Sequence, residues 1–507
     1  MSKRIIVIGA GFGGIATAVR LAAAGNQVTI VEKLDKPGGR GYVFEDRGFV
    51  FDGGPTVITA PWLITELFEL VGRRAEDAIE LMPVDPFYRI YFHDGTSFDY
   101  TGDPTAMEQQ IASLSSYPED VEGYRRFLRQ SERIFAKGFV DLADRPFLSV
   151  LDMVKIAPDL LRLEAYRSVY SLVAKYIKDD RLRQILSFHP LLIGGSPFRS
   201  PSIYALIHHL ERTWGVWFAR GGTGAVVNAL VELFLELGGT LELNAEVKRI
   251  DIGGRRATGV TLRNGRTLPA DIVVSNADAA QTYASLAPPA ARGPLTARKL
   301  KRMHHSMSLV VIYFGTDRLY RDDTPRPLAH HTIILGPRYR ELLEDIFEHK
   351  VLADDFSLYL HMPTLTDPSL APDGCEAFYV LAPVPNLTAD IDWAAAAKPF
   401  RDHLIGFLEE HYLPGLSNHI VTERMIDPRY FRDTLNSYAG SAFSVEPLLT
   451  QSAYFRPHNR SQSIENLYLV GAGTHPGAGL PGVLSSAKIA ANLINDLPAK
   501  ANHDRNP

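Results

Sequence analysis

Two glycine-rich stretches stand at opposite ends of the chain, and their spacing is that of phosphate chemistry. The first is Gly9-Ala10-Gly11-Phe12-Gly13-Gly14, preceded by the apolar run Ile5 to Ile8. Gly9, Gly11 and Gly14 satisfy Gly-x-Gly-x-x-Gly between a strand pattern and a helix pattern. The first glycine permits a tight turn, the second lets backbone approach a pyrophosphate, and the third lets the helix pack on the sheet. The helix N-terminus presents free N–H groups to phosphate. Glu32 closes the next strand pattern, Gln27 to Val31, where an acid accepts hydrogen bonds from a ribose diol. The second stretch runs from Gly471-Ala472-Gly473 through His475 and Gly479 to Gly482-Val483. It too follows a buried-strand pattern and precedes an apolar helix pattern. Two such loops, separated by most of the chain, point to one dinucleotide gripped from both ends.

Glu32 argues against a bound NADP, whose 2′-phosphate it would repel. A plain NAD domain also has no need of the stretch Lys33 to Gly41, with Gly39 and Arg40, or of Asp52-Gly53-Gly54-Pro55-Thr56 beyond it. Extra glycines after the ribose acid, with an arginine among them, resemble the extended loop that large FAD enzymes lay along the pyrophosphate and flavin. Lys33, Gly39, Arg40, Pro55 and Thr56 therefore join the candidate FAD site; the alternative for Arg40 is a surface charge.

These loops need a large scaffold, and the composition supplies one. The chain has 507 residues, 46% hydrophobic and 22% charged, as in a globular protein with a sizeable core. A net charge of −5 does not indicate a nucleic-acid surface. The single cysteine, Cys375, excludes a disulfide framework, a cysteine zinc site and an iron–sulfur cluster. His208-His209, His304-His305 and His330-His331 lack metal-ligand context, so no metal is expected. No serine-hydrolase elbow is present. The N-terminus reads as a cofactor strand rather than a secretory signal, and no apolar run approaches a membrane span. The expectation is a cytoplasmic protein, soluble or attached to one membrane face.

The pattern divides the chain into an α/β arrangement. Residues 1–84, 218–287 and 428–507 read as one discontinuous Rossmann-like FAD-binding domain. Residues 85–217 read as a largely helical substrate or membrane-associating region. Residues 295–427, with strand patterns at Met307 to Phe314 and Phe356 to His361, read as a mixed α+β substrate domain.

Narrower signals are Phe188 to Phe198, Ser202-Ile203-Tyr204, Leu210 to Phe218, and Leu469 to Ser486. With the terminal loops they resemble the bacterial-type phytoene desaturases, of the carotenoid desaturase and isomerase branch of the flavin amine oxidase-like fold. The resemblance covers nearly the whole chain. Ser196 departs from an asparagine common in that family, without changing the class. The resemblance implies one non-covalent FAD and successive removal of hydrogen from phytoene and later polyene intermediates, to lycopene or neurosporene. It implies that Val247 offers backbone groups to adenine, and that a membrane quinone or oxygen accepts the electrons. Rival readings are a carotenoid ketolase or isomerase, a protoporphyrinogen or amine oxidase, and a non-enzymatic prenyl-protein escort protein.

Phytoene has no polar handle, so such an enzyme must draw it from a membrane and select it by tunnel shape. Phe147 to Arg167 is apolar, with an aromatic residue at either end and spaced basic heads, as interfacial helices are; the alternative is an ordinary amphipathic core helix. This places the protein at the inner face of the cell membrane. Asp152 and Lys155, at i, i+3 spacing beside that stretch, are the catalytic candidates for acid–base work. Their alternative is a solvated pair.

Overall fold

The computed structural model describes residues 2–321 and 324–496. The run Ile5 to Ile8 forms the strand Arg4–Ile8 at the centre of a five-stranded parallel sheet. Its spatial order is Leu467–Leu469, Ile272–Ser275, Arg4–Ile8, Gln27–Val31, Thr240–Glu242. The sheet thus draws strands from all three segments assigned to the FAD-binding domain. Ile5 and Val7 pack against the helices Phe12–Ala23, Gly222–Glu236 and Leu480–Ile494. Ile6 and Ile8 pack against an antiparallel sheet of Val247–Gly253, Arg256–Leu262 and Thr267–Pro269. Both faces are covered, which is why the central strands are apolar without alternation.

A second sheet has seven strands, in the order Ile420–Ile426, Ser308–Thr316, Glu376–Val384, Leu358–His361, His331–Leu335, Tyr88–Phe92, Ser97–Tyr100. All neighbours are antiparallel except the pair His331–Leu335 and Tyr88–Phe92. Its two faces have different tasks. Val310, Ile312, Phe314, Phe378 and Val380 share a core with Phe400, Leu404 and Leu408 of the helix Trp393–His411. On the alternate register, Leu309, Val311, Tyr313, Tyr379, Leu381 and Pro383 line a cavity.

The stretch 85–217 departs from its expected helical character at its start. Tyr88–Phe92 and Ser97–Tyr100 form a hairpin across Asp94-Gly95 and extend the substrate sheet. Helices follow, including Asp120–Phe135, Val150–Arg162, Asp180–Ser187 and Leu206–Trp214. Among the described residues, no helix is long and apolar enough to cross a membrane.

Candidate functional site

One continuous cavity joins the two sheets. Gly9, Gly11 and Gly13 line it from the first glycine loop, and Gly471 and Ala472 from the second. The loops touch through Asn276, whose side chain sits between them. A Cβ on Gly13 would come 2.6 Å from Asn276 Oδ1 and 3.1 Å from Gly471 N. Gly14 does not line the cavity; a Cβ there would lie 2.1 Å from Gly9 O, so its role is to let helix and strand close together. Ala10 and Gly473 also lie outside the lining. Ala10 N–H donates to Glu32 Oε2 at 2.7 Å, and Gly473 packs beside Ser444 and Ala279.

The helix Phe12–Ala23 begins at Gly11 with no side-chain cap, and Phe12 lines the cavity. Leu480–Ile494 likewise begins at Gly479 without a side-chain cap, and Gly482 and Val483 face the same space. Two helix starts whose N–H groups take no side-chain cap, opening on one cavity, suit anionic or oxygen-rich groups. Glu32 is buried; its second oxygen accepts from Leu34 N–H at 2.9 Å. Burial raises its pKa, and the backbone N–H groups oppose that rise.

The remaining cofactor candidates converge here. Lys33, Gly39, Arg40, Pro55, Thr56 and Val247 all line the cavity. Lys33 Nζ donates to Asp433 O and Asn436 Oδ1, both at 3.1 Å. Arg40 is held through Nε to Ala442 O at 2.5 Å and through Nη2 to Ser437 Oγ at 2.6 Å. It is a half-buried bridge between distant parts of the chain rather than a free surface charge. Thr56 Oγ1 shares hydrogen bonds with Tyr379 OH at 2.9 Å and Tyr359 OH at 3.3 Å, which joins the cofactor side to the substrate sheet. Glycine loops, two such helix starts and a buried acid fit the FAD that the sequence implies. The glycine loops and the start of Phe12–Ala23 would hold its pyrophosphate, Glu32 its ribose, and Val247 would lie at its adenine.

The structure places the catalytic candidates outside the cavity lining. Asp152 and Lys155 lie on the helix Val150–Arg162 but do not line the cavity. Asp152 Oδ2 accepts Ser149 N–H at 3.0 Å and completes a capping box with the Ser149 side chain. Lys155 is exposed. Their helix turns Met153, Ile156 and Leu160 inward instead. The Ser149-x-x-Asp152 spacing was itself a readable capping signal.

The apolar part of the cavity holds one group that sequence reasoning missed. Glu211, on Leu206–Trp214, is fully buried and lines the cavity. It accepts a hydrogen bond from Tyr88 OH at 2.7 Å and is paired with His189 Nε2 at 2.9 Å. His475 also lines the cavity, edge-on to Phe147 at 5.0 Å; burial and the nearby Arg456 pull its pKa down to about 3, so it is neutral. On the cavity-facing register of the sheet, beyond Ile333 and Tyr359, His331 and His361 join His330 in placing ring nitrogens within 4.8 Å of one another. His361 is the member that the paired-histidine reading lacked. Burial pulls all three toward the neutral form, and no carboxylate or thiol joins the group among the described residues. With His331 Nδ1 on Tyr359 OH at 2.5 Å, the trio gives an uncharged polar backing to the tyrosines of the cavity wall.

Comparisons with known proteins give the family. The profile described as flavin containing amine oxidoreductase matches residues 12–495. A lycopene-forming phytoene desaturase of Pseudescherichia vulneris is 54% identical over 497 residues, covering 98% of this chain and 100% of its own. A neurosporene-forming phytoene desaturase of Rhodobacter capsulatus is 44% identical, covering 98% and 94%. An oxidoreductase of Methanosarcina mazei has the same fold, with a TM-score of 0.66 at 18% identity over 96% of this chain and 98% of its own. The chain belongs to the flavin-containing amine oxidoreductase family and, within it, to the phytoene desaturases.

Proposed function

We propose that this protein is an FAD-dependent desaturase that removes hydrogen from phytoene in successive steps, through to lycopene, at the inner face of a membrane. The observation that carries the reading is the single cavity. It runs from the two glycine loops to an apolar chamber walled by Leu309, Val311 and Leu381 and roofed by Met153, Ile156 and Leu160. Burial in such a chamber replaces the lipid environment at little net cost, because each methylene already gains about 0.8 kcal/mol on leaving water. Recognition must then rest on shape and on water exclusion.

When bound, FAD supplies the hydride acceptor of each step. The residues of this chain do the rest. The substrate sheet fixes the polyene against the cofactor side, and Thr56, tied to Tyr359 and Tyr379, keeps those walls in register. The roof helix also supports entry from lipid. Its outer face exposes Leu151 (66%), Val154 (61%) and Leu161 (64%) while its inner face lines the cavity. Lycopene is favoured over neurosporene because lycopene-forming relatives are 52–54% identical to this chain and neurosporene-forming ones 44%. A quinone or oxygen would reoxidise the flavin.

The test is incubation with phytoene in liposomes plus FAD, followed by chromatography. Lycopene as the main coloured product is expected. Untouched phytoene with another lipid oxidised would overturn the reading.

A further inference from the structure

Hydride removal from a hydrocarbon leaves positive charge on carbon, and a proton must leave the neighbouring carbon to form the double bond. Four carboxylates line the cavity among the described residues: Glu32, Glu211, Glu246 and Asp278. Three have other tasks. Glu32 is bound by the N–H groups of Ala10 and Leu34 beside the first loop. Glu246 is paired with Arg263 Nε at 2.6 Å. Asp278 caps Ala279–Gln281 through the N–H groups of Ala280 and Gln281 and also bonds Ser444.

Glu211 is left, and its setting is different. It shares one helix face with the lining residues Ile207 and Leu210, and lies near Phe188, which packs edge-on to Tyr88 at 5.3 Å. Among the described residues, no lysine or arginine pairs with it; its only ion-pair partner is His189. Tyr88 stays a phenol, since burial and the Glu211 charge both push its pKa well up. Burying a carboxylate without a firm cation is costly. A glutamine would satisfy the same two neighbours at lower cost, so the position favours a residue that can take up a proton.

We propose that Glu211 is the proton acceptor of the dehydrogenation, an assignment that rests on the desaturase reading of the cavity. One hydrogen leaves the substrate with its electron pair to the flavin. The adjacent C–H gives its proton to a Glu211 Oε, and its electron pair becomes the new π bond. Substrate loses two electrons and two hydrogens, the flavin gains the electron pair, and Glu211 ends as a carboxylic acid. Tyr88 and His189 are positioning residues that hold the carboxylate toward the chain. Before transfer, the carboxylate also stabilises developing cationic charge, an effect that is strong in an apolar enclosure.

The experiment compares wild type, Glu211→Gln, Glu211→Asp and Tyr88→Phe. FAD content and lycopene binding to FAD-free protein, read by tryptophan quenching, should match wild type in all, and the melting temperature of Glu211→Gln should not fall below that of wild type. The first anaerobic turnover of phytoene should fall by about 100- to 10,000-fold in Glu211→Gln, the range of a lost general base. Tyr88→Phe should lose far less, and Glu211→Asp should stay at least about tenfold above Glu211→Gln. Turnover in Glu211→Gln within about tenfold of wild type overturns the assignment, as does a loss equalled by Tyr88→Phe or by Glu211→Asp. A wild-type protein that leaves phytoene unchanged overturns the desaturase reading itself, and this assignment with it.

Discussion

Single residues decide whether the cofactor side can close. Gly11→Val would place a branched side chain at the first helix start, where a Cβ already comes 2.9 Å from Asn276 Nδ2. FAD content and activity should fall together, and full flavin retention would move the phosphate site elsewhere. Asp52 makes a different prediction. It is buried and accepts N–H groups of Thr223 and Gly224 at the start of Gly222–Glu236, yet burial pushes its pKa up to about 6. A carboxyl whose folded value lies above its unfolded one stabilises the fold at low pH and loses that contribution as pH rises from about 4 through about 6. Asp52→Asn, which cannot ionise, should therefore gain on wild type by about 2–3 kcal/mol between pH 4 and 7 in denaturant titrations. A constant difference across that range would refute the raised value. At this scale the cofactor side was legible, because Gly9 to Gly14, Glu32 and Gly471 announce local backbone geometry. Asn276 and Glu211 were not. Their roles arise from contacts across hundreds of residues or between separate elements, which no local spacing records.

At the scale of elements, the helix Val150–Arg162 faces two ways. Its inner residues roof the cavity, and its outer residues Val150, Leu151, Val154 and Leu161 are exposed, with Leu449 and Phe455 also exposed in the segment it packs beside. Periodicity alone left a core helix and an interfacial helix open, since both carry an apolar stripe. Three-dimensional placement separates the stripes. Leu160 and Leu163 pack inward, so they report on the cavity and core rather than on lipid. The informative variant is Leu151→Ser with Val154→Ser and Leu161→Ser. If each side chain is worth about 1.5 kcal/mol or more in lipid, liposome partitioning should fall by about a thousandfold or more, with FAD retained. Unchanged partitioning would place attachment on another surface. The hairpin Tyr88–Phe92 and Ser97–Tyr100 was lost in the same region. Its aromatic and β-branched residues around Asp94-Gly95 are a hairpin signal, but one hidden among longer helical patterns.

For the whole molecule, the cofactor sheet and the substrate sheet enclose one chamber, and both glycine loops open on it. Three separate segments build the five-stranded sheet, and their return to it was legible because each carries its own strand-and-turn signal. The closure of the chamber was not, since it depends on which face of the seven-stranded sheet looks inward. This architecture constrains the electron count. Each new double bond would deliver one electron pair to the flavin, and no dithiol of the chain can take it on, since Cys375 is the only cysteine. The next step must wait until an outside acceptor clears that pair. In strict anaerobiosis without quinone, conversion should therefore stop at one new double bond per bound FAD, with flavin absorbance bleached in proportion. Adding a lipid quinone or oxygen should restore the absorbance and let colour develop from yellow to red. Sustained anaerobic turnover without an acceptor, or consumption of NAD(P), would show that the electrons leave by a route this single-cofactor chamber does not contain.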